Sequence, residues 1–398
     1  MTGLAWASWA PGLFLVVVGT ALLLSLVLAV PRMTRIHRLE RVVRNAREEL
    51  RTPESLARHK ELAAEPGEYP GVVMVAGGPK YGPLAWHNIQ RLARHSPGLP
   101  VHVFALDEAE LEHWSMREAA RQPHVTVSHL RQTEVGQHIG WKCKIQAILE
   151  SHFSQVLFLD ADNQVLEDVR PLFRMPAFQD QGAVFWPDTV KMYEQRRLRV
   201  SYQPEWTVKL WGTFMSKPSP LFIRRLGVNL TYEHESGQML FDKTRVNVIA
   251  ALRLVEVMCD HHKLSFELFH GDKDLYQLGF AFMDTPFHQV DFRPGFVGFV
   301  DKKGVFQNTG LIQRHPADGR PLFLHVAGSA YNKQLDAYQV SHLMLPTGWD
   351  SDSILSINRN VYSNTPVDLW TGEHPSQFVV HFSPPQPAEA EAEAEAEA

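Results

Sequence analysis

Cysteine is scarce in this chain of 398 residues, and its charges of opposite sign almost cancel. The two cysteines, Cys143 and Cys259, are too few for the disulfide framework of a small secreted domain. The formal net charge is only −5, from 39 Lys and Arg against 44 Asp and Glu. This balance gives no sign of the basic surface that a nucleic-acid partner requires.

Four common catalytic motifs are missing from the sequence. There is no Walker loop, no Gly-x-Gly-x-x-Gly after a strand, no His-Glu-x-x-His and no Gly-x-Ser-x-Gly. The sequence therefore gives no support to an ATPase, a dinucleotide oxidoreductase, a zinc protease or a lipase.

The small net charge conceals an uneven distribution. Residues 1–31 have no charged side chain, whereas residues 32–51 have seven arginines against three glutamates, a local charge of +4. The last twelve residues are Pro387 followed by alternating Ala and Glu, with five glutamates. The intervening body, residues 52–386, is left at −4. We therefore expect no nucleic-acid partner.

Residues 12–30 form an uncharged run of nineteen residues, about enough to cross a membrane as a helix. We predict a single-pass anchor. The arginines that follow favour a cytosolic body, but long domains translocate largely regardless of charge, so both orientations stay open. The predicted organisation is an N-terminal tail (1–11), the anchor (12–30), a basic juxtamembrane stem with a helix (31–70), a main domain (71–383) and a disordered Ala-Glu tail (384–398).

Short apolar runs alternate with helical patterns in the main domain. This order predicts an α/β fold with a doubly wound, mostly parallel sheet, whose ligands lie beyond the carboxyl ends of the strands. The predicted strands are 71–76, 101–106, 125–127 and 155–159, and the predicted helices are 84–95, 108–121 and 141–151.

Asp160 and Asp162 directly follow the apolar run Val156–Leu159. Two carboxylates at this spacing can converge on one hard cation, Mg²⁺ or Mn²⁺, which would neutralise a diphosphate. The pattern alone is weak, because Asp272/Asp274 and Asp350/Asp352 repeat it. Only the first pair ends a strand of this type.

Six segments follow one another over about residues 71–330: GVVMVAGGPKYGPLAWHNIQRL, LPV at 99–101, GWKCKIQAILESHFSQVLFLDADNQVLEDVRPLF with GAVFWPD, EHESGQMLFDK, HGDKDLYQLGF and PLFLHVAG. In this order they resemble the fungal-type Golgi α-mannosyltransferases that extend mannan and N-glycans, including the α-1,3-mannosyltransferases. The resemblance implies a GT-A fold, retention of α configuration, GDP-mannose as donor, a glycan or glycoprotein acceptor, and a Golgi membrane protein with a lumenal catalytic domain.

Metal and diphosphate ligands follow from this pattern. Asp160 and Asp162 are the predicted ligands of Mn²⁺ or Mg²⁺, with His325 after the strand-like run Leu322–Leu324 as the third. Lys144 matches the family's lysine, and its compact positive charge suits a diphosphate. A surface or core role for His325 and a solvent-facing role for Lys144 are the alternatives.

Catalytic and sugar-binding roles are implied by the later motifs. Glu235 and Gln238 correspond to the region beside the transferred sugar, and Asp272 is a candidate to bind a hydroxyl or assist the acceptor as a base. A turn cap for Glu235 and a surface Asp–Lys pair for Asp272 remain possible. The predicted substrate-binding residues are Gly77, Lys144, Trp186 and Asp188, although Trp186 fits a core position equally well.

Two other functions compete with a GDP-mannose-dependent enzyme. The same fold and metal site could use a UDP-sugar, because no motif in the sequence identifies residues that recognise the nucleotide base of the donor. A membrane-tethered lectin that had lost activity could keep the fold. Intact residues at all of the predicted catalytic and metal positions argue against the lectin.

Overall fold

The computed structural model describes residues 34–64, 69–131, 139–191, 232–268, 271–300 and 306–325, with the short strands at 342–346, 352–356, 367–370 and 379–382. The predicted anchor at 12–30, the N-terminal tail and the Ala-Glu tail lie outside these residues. None of the described helices is long and apolar enough to cross a membrane.

Helices and strands alternate through the first half of the described chain. The helices are α1 (34–50), α2 (Pro53–Ala64), α3 (Gly78–His95), α4 (Glu108–Leu111), α5 (Trp114–Ala120), α6 (Ile139–Glu150), α7 (Pro176–Gln181), α8 (Val246–Asp260), α9 (His262–Leu268) and α10 (Leu275–Phe282), with a 3₁₀ turn at Arg170–Arg174.

The strands form a large mixed sheet, a second antiparallel sheet and a short hairpin. They are β1 (Gly71–Val75), β2 (Val101–Ala105), β3 (Val125–His129), β4 (Gln155–Asp160), β5 (Asn163–Val165), β6 (Ala183–Lys191), β7 (Tyr232–Asp242), β8 (His288–Gln289), β9 (Gly295–Val300), β10 (Phe306–Arg314), β11 (Pro321–His325), β12 (His342–Pro346), β13 (Asp352–Ser356), β14 (Val367–Trp370) and β15 (Val379–Phe382).

The large sheet has the order β3-β2-β1-β4-β7-β6-β8. Strands β1 to β4 pair in parallel, as predicted, and β8 is parallel to β6. Strand β7 runs antiparallel to both of its neighbours, β4 and β6. The prediction of a mostly parallel α/β sheet is confirmed, and the antiparallel β7 is an addition that the sequence pattern did not reveal.

Helices cover both faces of this sheet, so it is doubly wound. Alternate residues of each strand face opposite layers. Val73 and Phe158 pack with α1, α6, α8 and α10, whereas Val72 and Leu157 pack with α3, α5 and α7. This burial on both faces explains why the parallel strands are continuous apolar runs.

The expected helix at 108–121 is two helices. Asp107 caps α4, its Oδ1 accepting a hydrogen bond from the Glu110 amide at 2.9 Å. His113 then adopts an extended backbone (φ −63°, ψ 139°) and starts α5. The extended residue interrupts the helix.

Helix α1, in the segment predicted as a stem, packs against the body. Ile36, Leu39 and Val43 are buried in the same core as α8 and α10. Near its end, Arg47 and Arg51 form ion pairs with Asp284 at 2.5 and 2.7 Å. This amphipathic helix therefore buries its apolar stripe on the domain.

The second sheet has the order β13-β12-β9-β10-β11-β5. Strand β5 follows β4 after a two-residue turn and pairs antiparallel with β11, with Asn163 opposite His325. This pairing brings the end of β11 to the carboxyl end of β4. Residues 160 and 325 thereby meet although the chain separates them widely.

Candidate active site

Asp160, Asp162 and His325 form one cluster at the carboxyl edge of the large sheet. Asp160 ends β4, Asp162 lies in the turn before β5, and His325 ends β11. One ligand atom from each residue lies within 4.8 Å of the others. His325 Nε2 is 3.4 Å from Asp162 Oδ1. The three predicted metal ligands are thus brought together.

Carboxylate oxygens and an imidazole nitrogen fit a divalent cation such as Mn²⁺. The surrounding charge supports that fit. Asp160, Asp162, Glu235 and Asp272 supply four carboxylates, and the Lys144 ammonium contacts two of them, Asp160 and Asp272. Burial and the neighbouring Asp162 carboxylate raise the pKa of Asp160 despite that ammonium. A divalent cation would relieve this repulsion.

The Glu235-Ser236-Gly237-Gln238 segment is a bulge within β7. Across from β6, Phe185 pairs with Met239 and Trp186 pairs with Glu235, so the intervening residues leave that ladder. Bulges of this kind redirect side chains. The sequence predicted that this segment is a loop before a strand, but the structure has it inside β7. The strand extends further than predicted because its pairing partners, β4 and β6, are distant in the chain.

Glu235 lies on the other side of His325 from Asp162. Its Oε1 is 3.5 Å from His325 Nδ1 and accepts a hydrogen bond from the Gly237 amide at 2.9 Å. Burial alone would raise the pKa of Glu235, but His325, Lys273 and the Gly237 amide together lower it to about 2. Burial alone would lower the pKa of His325, but the carboxylates of Glu235 and Asp162 raise it. Glu235 is therefore an ionised carboxylate.

Lys144 reaches into the cluster from α6. Its Nζ donates to Asp160 Oδ2 at 2.7 Å and to Ser236 Oγ at 3.3 Å, and lies 4.0 Å from Asp272 Oδ2. Burial would lower the pKa of Lys144, but Asp160, Asp272 and Glu235 together raise it. The amine is a fixed positive charge at the site and does not face open solvent.

Asp272 is almost completely buried, with 3% of its surface exposed. It follows Gly271, whose φ of +73° suits glycine, and it precedes α10. Burial raises the pKa of Asp272 to about 6, although Lys144 opposes the shift. A carboxyl group with this pKa can exchange a proton near neutral pH.

Asn163 connects the metal cluster to Gln238, and sequence reasoning missed it. Its Nδ2 donates to Gly237 O at 2.7 Å and to Gln238 Oε1 at 2.6 Å. Asn88 on α3 in turn donates to Asn163 O at 2.7 Å. Asn163 directly follows Asp162, so its position in the sequence was an available signal. Asn88 carried no such signal.

Asp188 lies in β6, with its side chain largely buried. Lys273 Nζ donates to Asp188 Oδ2 and also pairs with Glu233 Oε2 at 2.8 Å. Lys273 and Glu233 were not predicted, because their contact joins residues 40 positions apart. Asp188 therefore belongs to an ion cluster next to Asp272, with its carboxylate held by a lysine.

Trp186 does not offer its ring to a ligand in this structure. It is fully buried, packs edge-on against Phe323 at 5.6 Å and donates from Nε1 to Arg314 O at 2.8 Å. The prediction that Trp186 binds substrate is corrected to a core role. The apolar run before it, Ala183–Phe185, continues into the core because β6 is an interior strand.

Gly77 lies at the carboxyl end of β1 and caps α3, as its position in the sequence predicted. Its backbone is extended, and a Cβ there would collide with the Glu110 side chain. Glu110 Oε2 accepts from the Leu106 amide at 2.8 Å. Packing against Glu110 therefore explains why this position is a glycine, and substrate binding by Gly77 stays a prediction.

Known proteins match this chain across the region that builds the site. Residues 69–316 match the family model described as "Mannosyltransferase putative". The α-1,2-mannosyltransferase MNN5 of Saccharomyces cerevisiae (strain YJM789) is 24% identical, over 61% of this chain and 48% of its own. MNN2 of S. cerevisiae is 24% identical (68% and 50%), and MNN22 of Candida albicans is 25% identical (64% and 48%). This chain thus spans about half the length of these relatives.

Solved glycosyltransferase structures overlap this fold only loosely. The galactosyltransferase LgtC, in complex with donor and acceptor sugar analogs, is 13% identical with a TM-score of 0.35, over 55% of this chain and 73% of its own. Mouse xyloside xylosyltransferase 1 is 14% identical with a TM-score of 0.35, over 56% and 85%. Overlap of this extent is too small to define the fold.

The family match decides the assignment. It covers more than half of the chain and includes Asp160, Asp162, Lys144, Glu235 and Asp272. The named relatives are α-1,2-mannosyltransferases, so they give no support to the α-1,3 detail of the sequence resemblance. The protein belongs to this mannosyltransferase family.

Proposed function

We propose that this protein is a metal-dependent, retaining mannosyltransferase of the GT-A type. It transfers mannose from GDP-mannose to a hydroxyl of a glycan or glycoprotein, forming an α-1,2 linkage as the names of its relatives indicate. One observation carries the proposal. Ligand atoms of Asp160, Asp162 and His325 lie within 4.8 Å of one another, at the edge of the sheet where α/β proteins bind ligands. The two aspartates lie within the residues that match the family.

Asp160, Asp162 and His325 would hold Mn²⁺, or Mg²⁺ in its place. Such a cation acts as a Lewis acid and neutralises charge on the leaving diphosphate. Lys144 supplies a second, permanent positive charge 2.7 Å from Asp160. In a body that is acidic overall, this lysine gives local positive charge where a sugar diphosphate needs it.

The transfer breaks the bond between the anomeric carbon and the diphosphate and forms a bond to the acceptor oxygen. The acceptor hydroxyl loses its proton. Asp272, with a pKa of about 6, is ionised above that pH and is suited to accept it. Glu235, whose Oε1 lies 3.5 Å from His325 Nδ1 and accepts from the Gly237 amide, can stabilise positive charge on the sugar. No covalent intermediate is assigned to either carboxylate.

Turnover by the purified protein tests this function. With Mn²⁺ and a panel of GDP- and UDP-sugars, we expect donor hydrolysis and transfer with GDP-mannose, and loss of both in the Asp160→Ala, Asp162→Ala variant. The exposed Asp180→Asn is the control for loss of a carboxylate. Turnover of a UDP-sugar alone would reassign the donor. Sugar binding that requires neither nucleotide nor metal would favour the lectin.

We further propose that residues 12–30 anchor the protein in the Golgi membrane with its catalytic domain in the lumen. The long apolar run supports an anchor, the resemblance implies a lumenal body, and long domains translocate largely regardless of charge, whereas the arginines at 32–51 oppose this orientation. Protease treatment of sealed microsomes tests it: the body should be digested only after detergent. Digestion without detergent would place the body in the cytosol.

A further inference from the structure

Trp141 is an exposed aromatic residue beside the candidate active site, and the proposed function gives it no role. It lies in the first turn of α6, and 40% of its surface is exposed. Strands β3 and β4, on either side of α6 in the chain, run in the same direction. The chain therefore returns along the sheet through α6, which begins at the carboxyl edge, where ligands bind.

The indole ring of Trp141 rests with one face on Gly271. A Cβ added at Gly271 would lie 3.2 Å from both Cδ2 and Cε2 of the indole, and 3.4 Å from Cε3. Cδ2 and Cε2 form the bond that the two rings share, so a point this close to both lies over the ring plane. The Phe266 ring is nearly perpendicular to the indole, with centroids 5.4 Å apart. Two contacts thus fix the orientation of a ring that is still exposed.

The same ring is close to the groups that take part in the proposed transfer. Gly271 directly precedes Asp272, and neighbouring Cα atoms are about 3.8 Å apart. Lys144 lies one helical turn after Trp141 on the same side of α6, and its Nζ is 4.0 Å from Asp272 Oδ2. Trp141 therefore lies within about the length of one sugar residue of Asp272.

We propose that Trp141 binds the acceptor, whose pyranose ring stacks on the exposed indole while one of its hydroxyls reaches Asp272. This inference rests on the proposed function, in which Asp272 takes the acceptor proton. The C–H groups on one face of a sugar form an apolar patch, which a fixed aromatic ring can cover. The acceptor is favoured over the donor base, because the indole contacts the residue next to Asp272 rather than a metal ligand.

A pair of substitutions tests the need for an aromatic face. Trp141→Leu keeps an apolar side chain against Gly271 and Phe266 but removes the ring, whereas Trp141→Phe keeps a smaller ring. Each variant is assayed with GDP-mannose and Mn²⁺, with methyl α-mannoside or α-mannobiose as acceptor, and transfer is compared with donor hydrolysis by water. We expect the ratio of transfer to hydrolysis to fall about tenfold in Trp141→Leu and about threefold in Trp141→Phe.

Trp114→Leu is the matched control. Trp114 is similarly exposed, at 46%, but lies on α5, which covers the other face of the sheet. Its ratio of transfer to hydrolysis should stay within about twofold of the wild type. Unfolding by urea, measured for every variant, reports any lost stability. A merely structural role for Trp141 would lower transfer and hydrolysis together, leave their ratio unchanged and overturn the inference.

Binding provides a readout that does not require turnover. Saturation-transfer NMR with methyl α-mannoside, in the presence of GDP and Mn²⁺, should show binding to the wild type and a several-fold weaker signal with Trp141→Leu. The affinity for GDP should be the same in both proteins. Weaker GDP binding in Trp141→Leu would assign the ring to the nucleotide base and overturn the inference.

The wild type separates this inference from the proposed function. If it hydrolyses GDP-mannose but neither binds nor transfers to the two mannosides, the inference alone is overturned. A wild-type protein that neither binds nor turns over any sugar nucleotide overturns the proposed function together with it.

Discussion

Lys144 Nζ and Asp160 Oδ2 lie 2.7 Å apart at the carboxyl edge of the large sheet. The lysine thus contacts a carboxylate that is also a predicted metal ligand. Its charge opposes cation binding at Asp160 but favours a departing diphosphate. The two effects have opposite signs, so a single substitution can separate them.

Lys144→Met should tighten Mn²⁺ binding and slow catalysis. Without the ammonium beside Asp160, the site repels a cation less, and the leaving group loses a positive charge that we expect to account for about a hundredfold in kcat. Mn²⁺ titration and initial rates measure the two effects. Lys142→Met is the control: Lys142 lies on the same helix as Lys144 and pairs with Asp260 of α8, and its loss should change neither quantity by more than about twofold. Weaker Mn²⁺ binding in Lys144→Met would contradict the assignment.

Gly237→Ala should damage the metal site more than the fold. A Cβ at this position would lie 3.1 Å from His325 Nδ1, 3.2 Å from Glu235 Oε1 and 3.3 Å from Asn163 Nδ2. Because those groups hold one another in place, we expect Mn²⁺ affinity and kcat each to fall by about tenfold. Mn²⁺ titration with rate measurements checks this.

Gly98→Ala provides the comparison. Gly98 has a φ of +79° and open space around its Cα, so alanine should cost about 1 kcal/mol of stability and leave Mn²⁺ affinity unchanged. If Gly237→Ala lost stability but kept the wild-type Mn²⁺ affinity, its closeness to the ligands would have no functional meaning.

Trp186→Phe should lower stability without affecting substrate. The smaller ring loses packing against Phe323 and the hydrogen bond to Arg314 O, which together cost about 2 kcal/mol. The KM for donor and acceptor should not change. Trp114→Phe, at an exposed position, should alter neither quantity. Raised KM with wild-type stability would restore the substrate-binding role for Trp186.

Local patterns predicted β4 and the two aspartates, because an apolar strand and the residues that follow it are adjacent in the sequence. They also predicted a helix in the basic stem, where α1 is found with Ile36, Leu39 and Val43 on its apolar stripe. They did not predict that this apolar stripe packs on the core shared with α8 and α10, since its partner lies more than 200 residues away.

The parts of the site that sequence reasoning missed depend on long-range pairing. His325 was expected from the resemblance, but its approach to Asp162 results from the β5–β11 register. The bulge at Ser236–Gln238 results from β7 pairing with two strands at once. Trp186 shows the opposite error: an aromatic residue beside a carboxylate suggested a sugar, whereas an interior strand places the ring in the core.

Asp272→Asn should make the metal-free protein more stable at neutral pH. Burial raises the pKa of Asp272 from its ordinary value of 3.8 to about 6, so the folded state binds this proton more tightly than the unfolded state. Stability therefore falls as pH rises from about 4 to 6, and the full penalty of about 1–3 kcal/mol is present above pH 6. Asparagine does not titrate and avoids it.

Urea unfolding in EDTA at pH 4 and pH 7.5 measures this difference. Asp272→Asn should exceed the wild type at pH 7.5 and approach it at pH 4, while the exposed Asp180→Asn should follow the wild type at both. Equal stability of Asp272→Asn and wild type at pH 7.5 would contradict the raised pKa. If Asp272 takes the proton from the acceptor hydroxyl, Asp272→Asn should lose transfer activity while it gains stability. The carboxylate is then needed for catalysis although it destabilises the fold.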